Sequence, residues 1–235
     1  MRPVLLIAAN FVREQRWPLI LLLVWVLLSG TFATAGGVLQ IDDLLFFFKQ
    51  QAVYGIAFSA FLAASAIHNE RRSRRILAVL SKGIRRRDYV AGLLLGVLAG
   101  AGVYCVAMGA MGTMMFARAG LSEEQLWLGL VMLIAACALT ATVALFFSTL
   151  MTPIFATAAT AVVLGAPAIA VHAGAKSWSA VLPVFFLMER LMDLSGRGRW
   201  TVPWELVGWA MLDAVLLWLA ASIVFSRRDI AVAVE

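Results

Sequence analysis

Residues 70–88, ERRSRRILAVLSKGIRRRD, decide how the rest of the chain is organised. Eight of these nineteen residues are Arg or Lys, and apolar segments long enough to cross a membrane flank the stretch on both sides. Because Lys and Arg resist translocation, a basic loop between two spans lies on the cytoplasmic side. This loop therefore sets the predicted orientation of every other segment.

The same loop carries apolar residues at helical spacing among its basic ones, namely Ile76, Leu77, Val79 and Leu80. The pattern predicts a short amphipathic helix at the membrane surface. Topology and contact with anionic lipid are one explanation of the basic cluster. A solvated face would not need the apolar residues, so docking into a groove on a partner protein is the second explanation.

The composition is that of an integral membrane protein. Of 235 residues, 63% are hydrophobic and 14% are charged, with a mean hydropathy of +0.94, whereas soluble domains carry about 25% charged residues. We expect one all-α transmembrane domain over residues 1–235, with little of the chain left for a soluble domain. The net charge of +6 is interpreted as a topology signal and not as nucleic-acid binding.

The predicted topology has six spans with both termini in the cytoplasm. An interfacial helix (1–16) precedes spans at about 17–35, 50–68, 89–111, 126–150, 154–171 and 206–225; residues 70–88 form the cytoplasmic loop and 172–205 an external segment. Within that segment, 181–192 is apolar but too short to span, which favours a re-entrant or interfacial helix. If it crossed, the count would be seven, and Arg227 and Arg228 would lie outside, against the charge bias.

Shorter features give local expectations. Asp42 and Asp43 are placed outside the membrane, 117–125 in a short external loop and 151–153 in a tight cytoplasmic turn. Three glycines of the third span recur every four residues and permit close helix contact: Gly92, Gly96 and Gly100. Gly165 and Pro167 are expected to interrupt the fifth span.

No catalytic, metal-binding or phosphate-binding motif is present, so we expect neither an enzyme nor a metal site, and no cofactor bound by this chain. His68 and His172 are predicted near opposite membrane faces. Cys105 and Cys137 fall in apolar segments and are interpreted as packing residues, since a buried free cysteine behaves as a small hydrophobe.

Two carboxylates are candidate functional residues. Asp213 lies well inside the predicted sixth span, where a charge is expensive and so is a functional candidate; alternatively it lies near the outer surface and meets water or a partner residue. Glu70 ends the second span. It either pairs with Arg74 at i+4 on a solvated surface or anchors the basic loop.

Several of these residues resemble the membrane subunit of an ABC-2 type transporter. Residues 65–71 (SAIHNER) are similar to the family's end of the second span, and 77–92 (LAVLSKGIRRRDYVAG) to its "LLxxPISRxxYVxGK" pattern. Residues 225–230 (FSRRDI) resemble its C-terminal ending. The chain departs from the pattern at Lys82-Gly83, where the family often has a small residue and Pro, and at Leu93, where it often has Lys.

The resemblance implies an exporter permease in the bacterial inner (plasma) membrane. Two such subunits, identical or related, would pair, and two ATPase subunits holding ATP and Mg²⁺ would dock beneath them. The loop helix, roughly 70–81, would be the coupling helix; its candidate contact residues are Glu70, Arg71, Arg72, Arg74, Ile76, Leu77 and Leu80. Gly165 and Pro167 would make the fifth span bendable along the transport pathway, and 178–193 would form an outer gate.

Two other functions remain as hypotheses. The chain could be a membrane scaffold that recruits a soluble partner through the basic loop. A secondary transporter or channel would need internal repeats and several intramembrane charges, which the sequence lacks. The apolar spans favour a lipid-like, amphiphilic or drug-like cargo, and membrane lipids are expected partners.

Overall fold

The computed structural model describes residues 2–35, 41–72, 84–175, 181–195 and 200–227. Over these ranges the chain is all-helical and no strand occurs. The helices are α1 (Arg2–Glu14), α2 (Arg16–Ala35), α3 (Ile41–Arg72), α4 (Arg86–Ala119), α5 (Glu123–Ser148), α6 (Pro153–His172), α7 (Val184–Met192) and α8 (Trp204–Arg227).

Five of the helices, α3, α4, α5, α6 and α8, are long and apolar enough to cross a membrane. The pair α1 and α2 meets the same standard only when taken together, because the two are bent by 63° where they join. The predicted all-α, multi-pass membrane class is therefore confirmed. The count of six spans stays a prediction, since it depends on how α1 and α2 sit in the bilayer.

Pro18 accounts for the bend between α1 and α2. A proline supplies no N–H, and its ring clashes with the carbonyl of the residue four positions earlier, here Glu14, the last residue of α1. The predicted N-terminal helix is thus a separate element that packs on α4. Its Ile7 and Phe11 lie against Gly92 and Gly96 so closely that a Cβ at either glycine would approach them to 2.7 Å.

This contact confirms that the recurring glycines of α4 permit close helix approach. The third glycine, Gly100, faces Leu19 of α2 at 3.2 Å from where its Cβ would be. Further along, Met111 of α4 lies against Gly30 of α2. The glycines therefore form the surface on which α1 and the start of α2 pack, and α2 runs parallel to α4.

The long helices alternate in direction. We call the end where α3 stops and α4 starts the loop end, and the opposite end, where α4 stops and α5 starts, the far end. Hydrogen bonds pair Tyr89 with Glu70 and Tyr104 with Gln51, so α3 and α4 are antiparallel. The last turn of α8 lies beside Tyr89, so α8 also finishes at the loop end.

Helix α5 is the centre of the bundle. In its most apolar 18-residue window 78% of residues are buried, against 22% for α8. It contacts α3, α4, α6, α7 and α8. Its buried side chains are mostly small, which lets so many helices approach it. The outer helices keep large apolar side chains exposed, as expected where lipid or another subunit covers them.

Some predicted boundaries differ from the structure. Helix α4 continues to Ala119, where Gly120 adopts a left-handed φ of 65°, and α5 begins at Glu123, so the loop predicted over 117–125 shrinks to 120–122. Asp42 and Asp43 lie in the first turn of α3, where the helix dipole favours acidic side chains. The tight turn after α5 and the short helix within 181–192, now α7, are confirmed.

The prediction that Gly165 and Pro167 interrupt the fifth span is wrong. Helix α6 runs unbroken from Pro153 to His172 with Pro167 inside it. A proline removes one backbone hydrogen bond, and in a membrane helix the neighbouring turns and helices compensate for that loss. Pro167 is buried in the bundle, whereas the position of a Cβ at Gly165 is open space.

Candidate functional site at the base of the basic loop

The strongest candidate site is a set of five residues that join three helix ends at the loop end: Glu70, Arg86, Tyr89, Phe225 and Ser226. We call this set the loop-end junction. It lies where α3 enters the basic loop and where α4 leaves it. Each contact in the junction joins two different helices.

Glu70 is the centre of the junction. Only 6% of its surface is exposed, although it lies two residues before the end of α3. The hydroxyl of Tyr89, itself buried, donates a hydrogen bond of 2.7 Å to its Oε2 atom. A carboxylate withdrawn from water needs donors of this kind. The interpretation of Glu70 as an anchor of the basic loop is thereby favoured over a solvated surface pair.

Tyr89 and Arg86 extend the junction to α8. The ring of Tyr89 stacks on Phe225, with centroids 6.2 Å apart and planes 14° from parallel. The Arg86 Nη1 atom donates to the carbonyl oxygen of Ser226 at 2.8 Å and lies 3.5 Å from that of Phe225. Carbonyls in the last turn of a helix lack partners within the helix, and a cation satisfies them well.

The other residues predicted for partner docking fall at the edge of the described chain. Arg71 and Arg72 are the last two residues of α3. Arg74, Ile76, Leu77 and Leu80, and with them the proposed coupling helix, lie outside the described residues. The structure therefore describes the two sides of the loop base, and the role of the loop helix stays a prediction.

Gly165, from the predicted pathway, lines an apolar cavity of about 440 Å³ between α3, α6 and α7. Val53, Ala57, Thr160, Phe185 and Met188 also line it. Thr140 of α5 lies in its wall, and the Thr140 hydroxyl has no hydrogen-bond partner among the described residues. The cavity can thus accept an apolar group, and among its three threonine hydroxyls only that of Thr140 lacks a partner in the described part of the chain.

Asp213 lies on α8, half buried, and it contacts the segment that leads into α7. Its Oδ2 atom accepts a 2.8 Å hydrogen bond from the backbone N–H of Leu182. Leu182 has a φ of 46°, a left-handed conformation that non-glycine residues rarely adopt. The interpretation that Asp213 meets a partner residue is favoured, and the partner is a main-chain amide that sequence cannot reveal.

Sequence reasoning missed a buried polar chain across α2, α3 and α4. The Tyr104 hydroxyl donates to the carbonyl oxygen of Gln51 at 2.6 Å, and the Gln51 amide donates to the Ser29 hydroxyl at 3.1 Å. A glutamine inside an apolar stretch was the available signal, since a buried amide must find partners. Cys105 and Cys137 are free cysteines, and both lie in the same packed core as Tyr104.

The described residues bring no three His, Cys, Asp or Glu side chains together as a metal site would require. Comparison with known proteins adds no relative: no protein-family model matches the chain, and neither curated proteins nor solved structures include a significant match.

Proposed function

We propose that this chain is the membrane-spanning subunit of an ATP-driven exporter of the ABC-2 type, with ATP hydrolysed by separate ATPase subunits. The observation that carries the proposal is the loop-end junction. Because Glu70, Tyr89 and Phe225 tie α3, α4 and α8 together at the base of the basic loop, a displacement of the loop moves three helices at once. A coupling element needs this rigid attachment.

The resemblance of residues 65–71, 77–92 and 225–230 to the family supports the same function. These three stretches contain all five junction residues. Glu70 lies in the first stretch, Arg86 and Tyr89 in the second, and Phe225 and Ser226 in the third. Segments distant in sequence thus meet at one place.

A second copy of the chain would complete the transporter, and α6 offers a surface for it. Phe155, Val162 and Ile169 recur every seven residues and are 67%, 71% and 73% exposed. Side chains at this spacing form one stripe along a helix. A Val162→Cys variant would form a disulfide-linked dimer on mild oxidation, whereas Leu216→Cys on the exposed face of α8 would not.

The cargo we propose is lipid-like or amphiphilic. The cavity beside α6 is almost wholly apolar, which suits an acyl or aromatic group, and the Thr140 hydroxyl suits a single polar atom. Gly165 lines this cavity, so a bend of α6 there would change its shape. Residues 178–193, which include α7, would form the outer gate.

Affinity purification in mild detergent tests the proposal. We expect an ATPase to co-purify with the wild-type chain and to be lost from the variant Arg71→Glu, Arg72→Glu, Leu77→Asp. The matched control, Arg13→Glu with Arg16→Glu, reverses charge in α1 and α2 and should keep the ATPase. If a soluble protein without ATPase activity is captured instead, the chain is a scaffold.

Coupling is tested separately with Tyr89→Phe. This variant keeps the ring stacked on Phe225 but removes the hydroxyl that donates to Glu70. The ATPase should still co-purify, while ATP hydrolysis by the reconstituted complex should lose its dependence on the membrane subunit. Unchanged hydrolysis would show that the junction plays no part in coupling.

A further inference from the structure

A second site lies on the other side of the first turn of α4, where α4 and α8 leave a groove of about 720 Å³ open to the surroundings. We call it the basic groove; its main lining residues are Arg85, Arg86, Arg87, Trp218, Ser222 and Ile223. It is separate from the apolar cavity beside α6. The groove shares Arg86 and Ser226 with the loop-end junction, but neither the coupling role of the loop nor the export function requires a ligand there.

The groove is positively charged at one end. Arg85 and Arg87 are exposed, and Arg86 is held by the carbonyl oxygens at the end of α8. The one carboxylate in the lining, Asp88, lies 3.7 Å from Arg87 on the surface, so three arginines outnumber it. Arg85 is also the N-cap of α4, and the dipole of α4 adds positive potential at this end of the groove.

The other end of the groove is apolar and contains buried donors. Trp218, Leu219 and Ile223 lie along α8, with Leu219 44% and Ile223 52% exposed. Ser222 is only 6% exposed, and neither its hydroxyl nor the indole N–H of Trp218 has a hydrogen-bond partner among the described residues. Two donors without partners at one groove point to an acceptor that is supplied from outside the described residues.

The order of these groups along α8 matches the order of groups in a phospholipid. From Ser226 to Trp218 the helix rises about 12 Å. The arginines stand at the loop end, the donors Ser222 and Trp218 stand one and two turns deeper, and the apolar residues flank them. A phosphate, the ester carbonyls and the start of the acyl chains follow one another in the same order.

We propose that the basic groove binds one anionic phospholipid, with the headgroup phosphate at Arg85 and Arg87 and the ester carbonyls near Ser222 and Trp218. Net positive charge selects an anionic headgroup over a zwitterionic one. The apolar residues Leu219 and Ile223 and the donors of Ser222 and Trp218 lie beyond the reach of a free phosphate at the arginines, so they favour a lipid over free phosphate. The site would hold α4 and α8 in register at the loop end.

Native mass spectrometry of the purified full chain tests this site, with phosphatidylglycerol and phosphatidylcholine of identical acyl chains as probes. We expect phosphatidylglycerol to bind the wild type more tightly, and Arg85→Gln with Arg87→Gln to weaken it roughly tenfold. Arg13→Gln with Arg16→Gln removes the same charge from α1 and α2 and should change binding less than twofold. Equal losses in both variants would overturn the site.

A second variant keeps the test decisive if the arginine variant folds poorly. Ser222→Leu leaves every charge in place and fills the groove, and it should also abolish the preference for phosphatidylglycerol. Glycerol 3-phosphate and inorganic phosphate, added in excess, should not displace the lipid. Displacement by either would show that the groove is a soluble-phosphate site, and undiminished lipid binding by Ser222→Leu would place the lipid elsewhere.

Discussion

Two carboxylates each hold a second element of this bundle, but they do so differently. Glu70, at the loop end, is 6% exposed and accepts a hydrogen bond from the side chain of Tyr89 on another long helix. Asp213, on α8, is half buried and accepts from the main-chain N–H of Leu182, in the segment before α7. The first connects long helices to each other, and the second connects a long helix to a short connecting segment.

The two regions also differ in how their helices are packed. At the loop end, side chains from α3, α4 and α8 meet in one junction, and α1 adds a close contact on α4. Beside α6 and α7, an apolar cavity takes the place of such a junction. A rigid loop end and a more loosely packed region near α6 suit a protein that receives motion at one end and changes shape at the other.

The largest effect is expected from Glu70→Ala. The buried Tyr89 hydroxyl loses an acceptor and the side-chain volume is left empty, so the free energy of unfolding should fall by about 2–3 kcal/mol. Denaturant unfolding in detergent measures it. Glu70→Gln keeps an acceptor oxygen and should lose less than half as much. A Glu70→Ala effect no larger than that of Asp213→Ala would remove the contrast between the two carboxylates.

A smaller loss is expected from Gly92→Ala, which tests the packing of α1 at the loop end. The new Cβ would lie 2.7 Å from the Ile7 Cβ atom and 3.0 Å from the Val4 carbonyl oxygen, so α1 must move away. Such overpacking costs about 1–2 kcal/mol. Gly102→Ala on the same helix is the control, because no atom lies within 4 Å of its Cβ position; it should be neutral or stabilising.

Asp213→Ala should cost about 1 kcal/mol, the usual net value of one hydrogen bond at a half-buried position. The effect should be local, so hydrogen exchange at the Leu182 amide should speed up while exchange in α5 stays unchanged. Asp213→Asn retains a carbonyl oxygen and should preserve most of the protection. Equal exchange in all three proteins would mean that the contact does not hold the segment before α7.

The smallest effect, and one of opposite sign, is expected from Gly165→Ala. A Cβ there meets no atom within 4 Å, and alanine in a helix is favoured over glycine by about 0.5–1 kcal/mol. Gly208→Ala on α8 is equally open and is the matched control. If α6 bends at Gly165, only Gly165→Ala should slow ATP hydrolysis by the reconstituted complex; equal rates would argue against the hinge.

Much of the helical framework could be predicted because it depends on local sequence. Apolar runs of membrane length, the turn before Pro153 and the short apolar stretch within 181–192 each mark an element. The ends of the helices were harder to predict from the sequence. Hydropathy locates the apolar part of α4 at about 89–111, but the helix itself continues to a left-handed glycine at 120.

Only part of the candidate site could be predicted from the sequence. A carboxylate beside a basic loop singles out Glu70, and the choice between a solvated pair and an anchor depends on burial, which one sequence does not contain. Tyr89 lies 19 residues away and Phe225 on another helix, so no local pattern links them. Asp213 was a candidate because it is a charged residue inside an apolar span, and a main-chain partner such as the Leu182 amide cannot be predicted from a sequence pattern.

Composition and periodicity by themselves determined that this chain is helical, apolar and organised around one basic loop. Main-chain polar groups in lipid must be hydrogen-bonded, and a single apolar segment meets this requirement by forming a helix. Only the tertiary structure decided which side chains meet. Among the described residues it buried Glu70 against Tyr89, gave Asp213 a backbone partner, and left the Ser222 and Trp218 donors of the basic groove without one. Contacts of this kind depend on helix rotation and depth, which side-chain packing across the whole bundle sets.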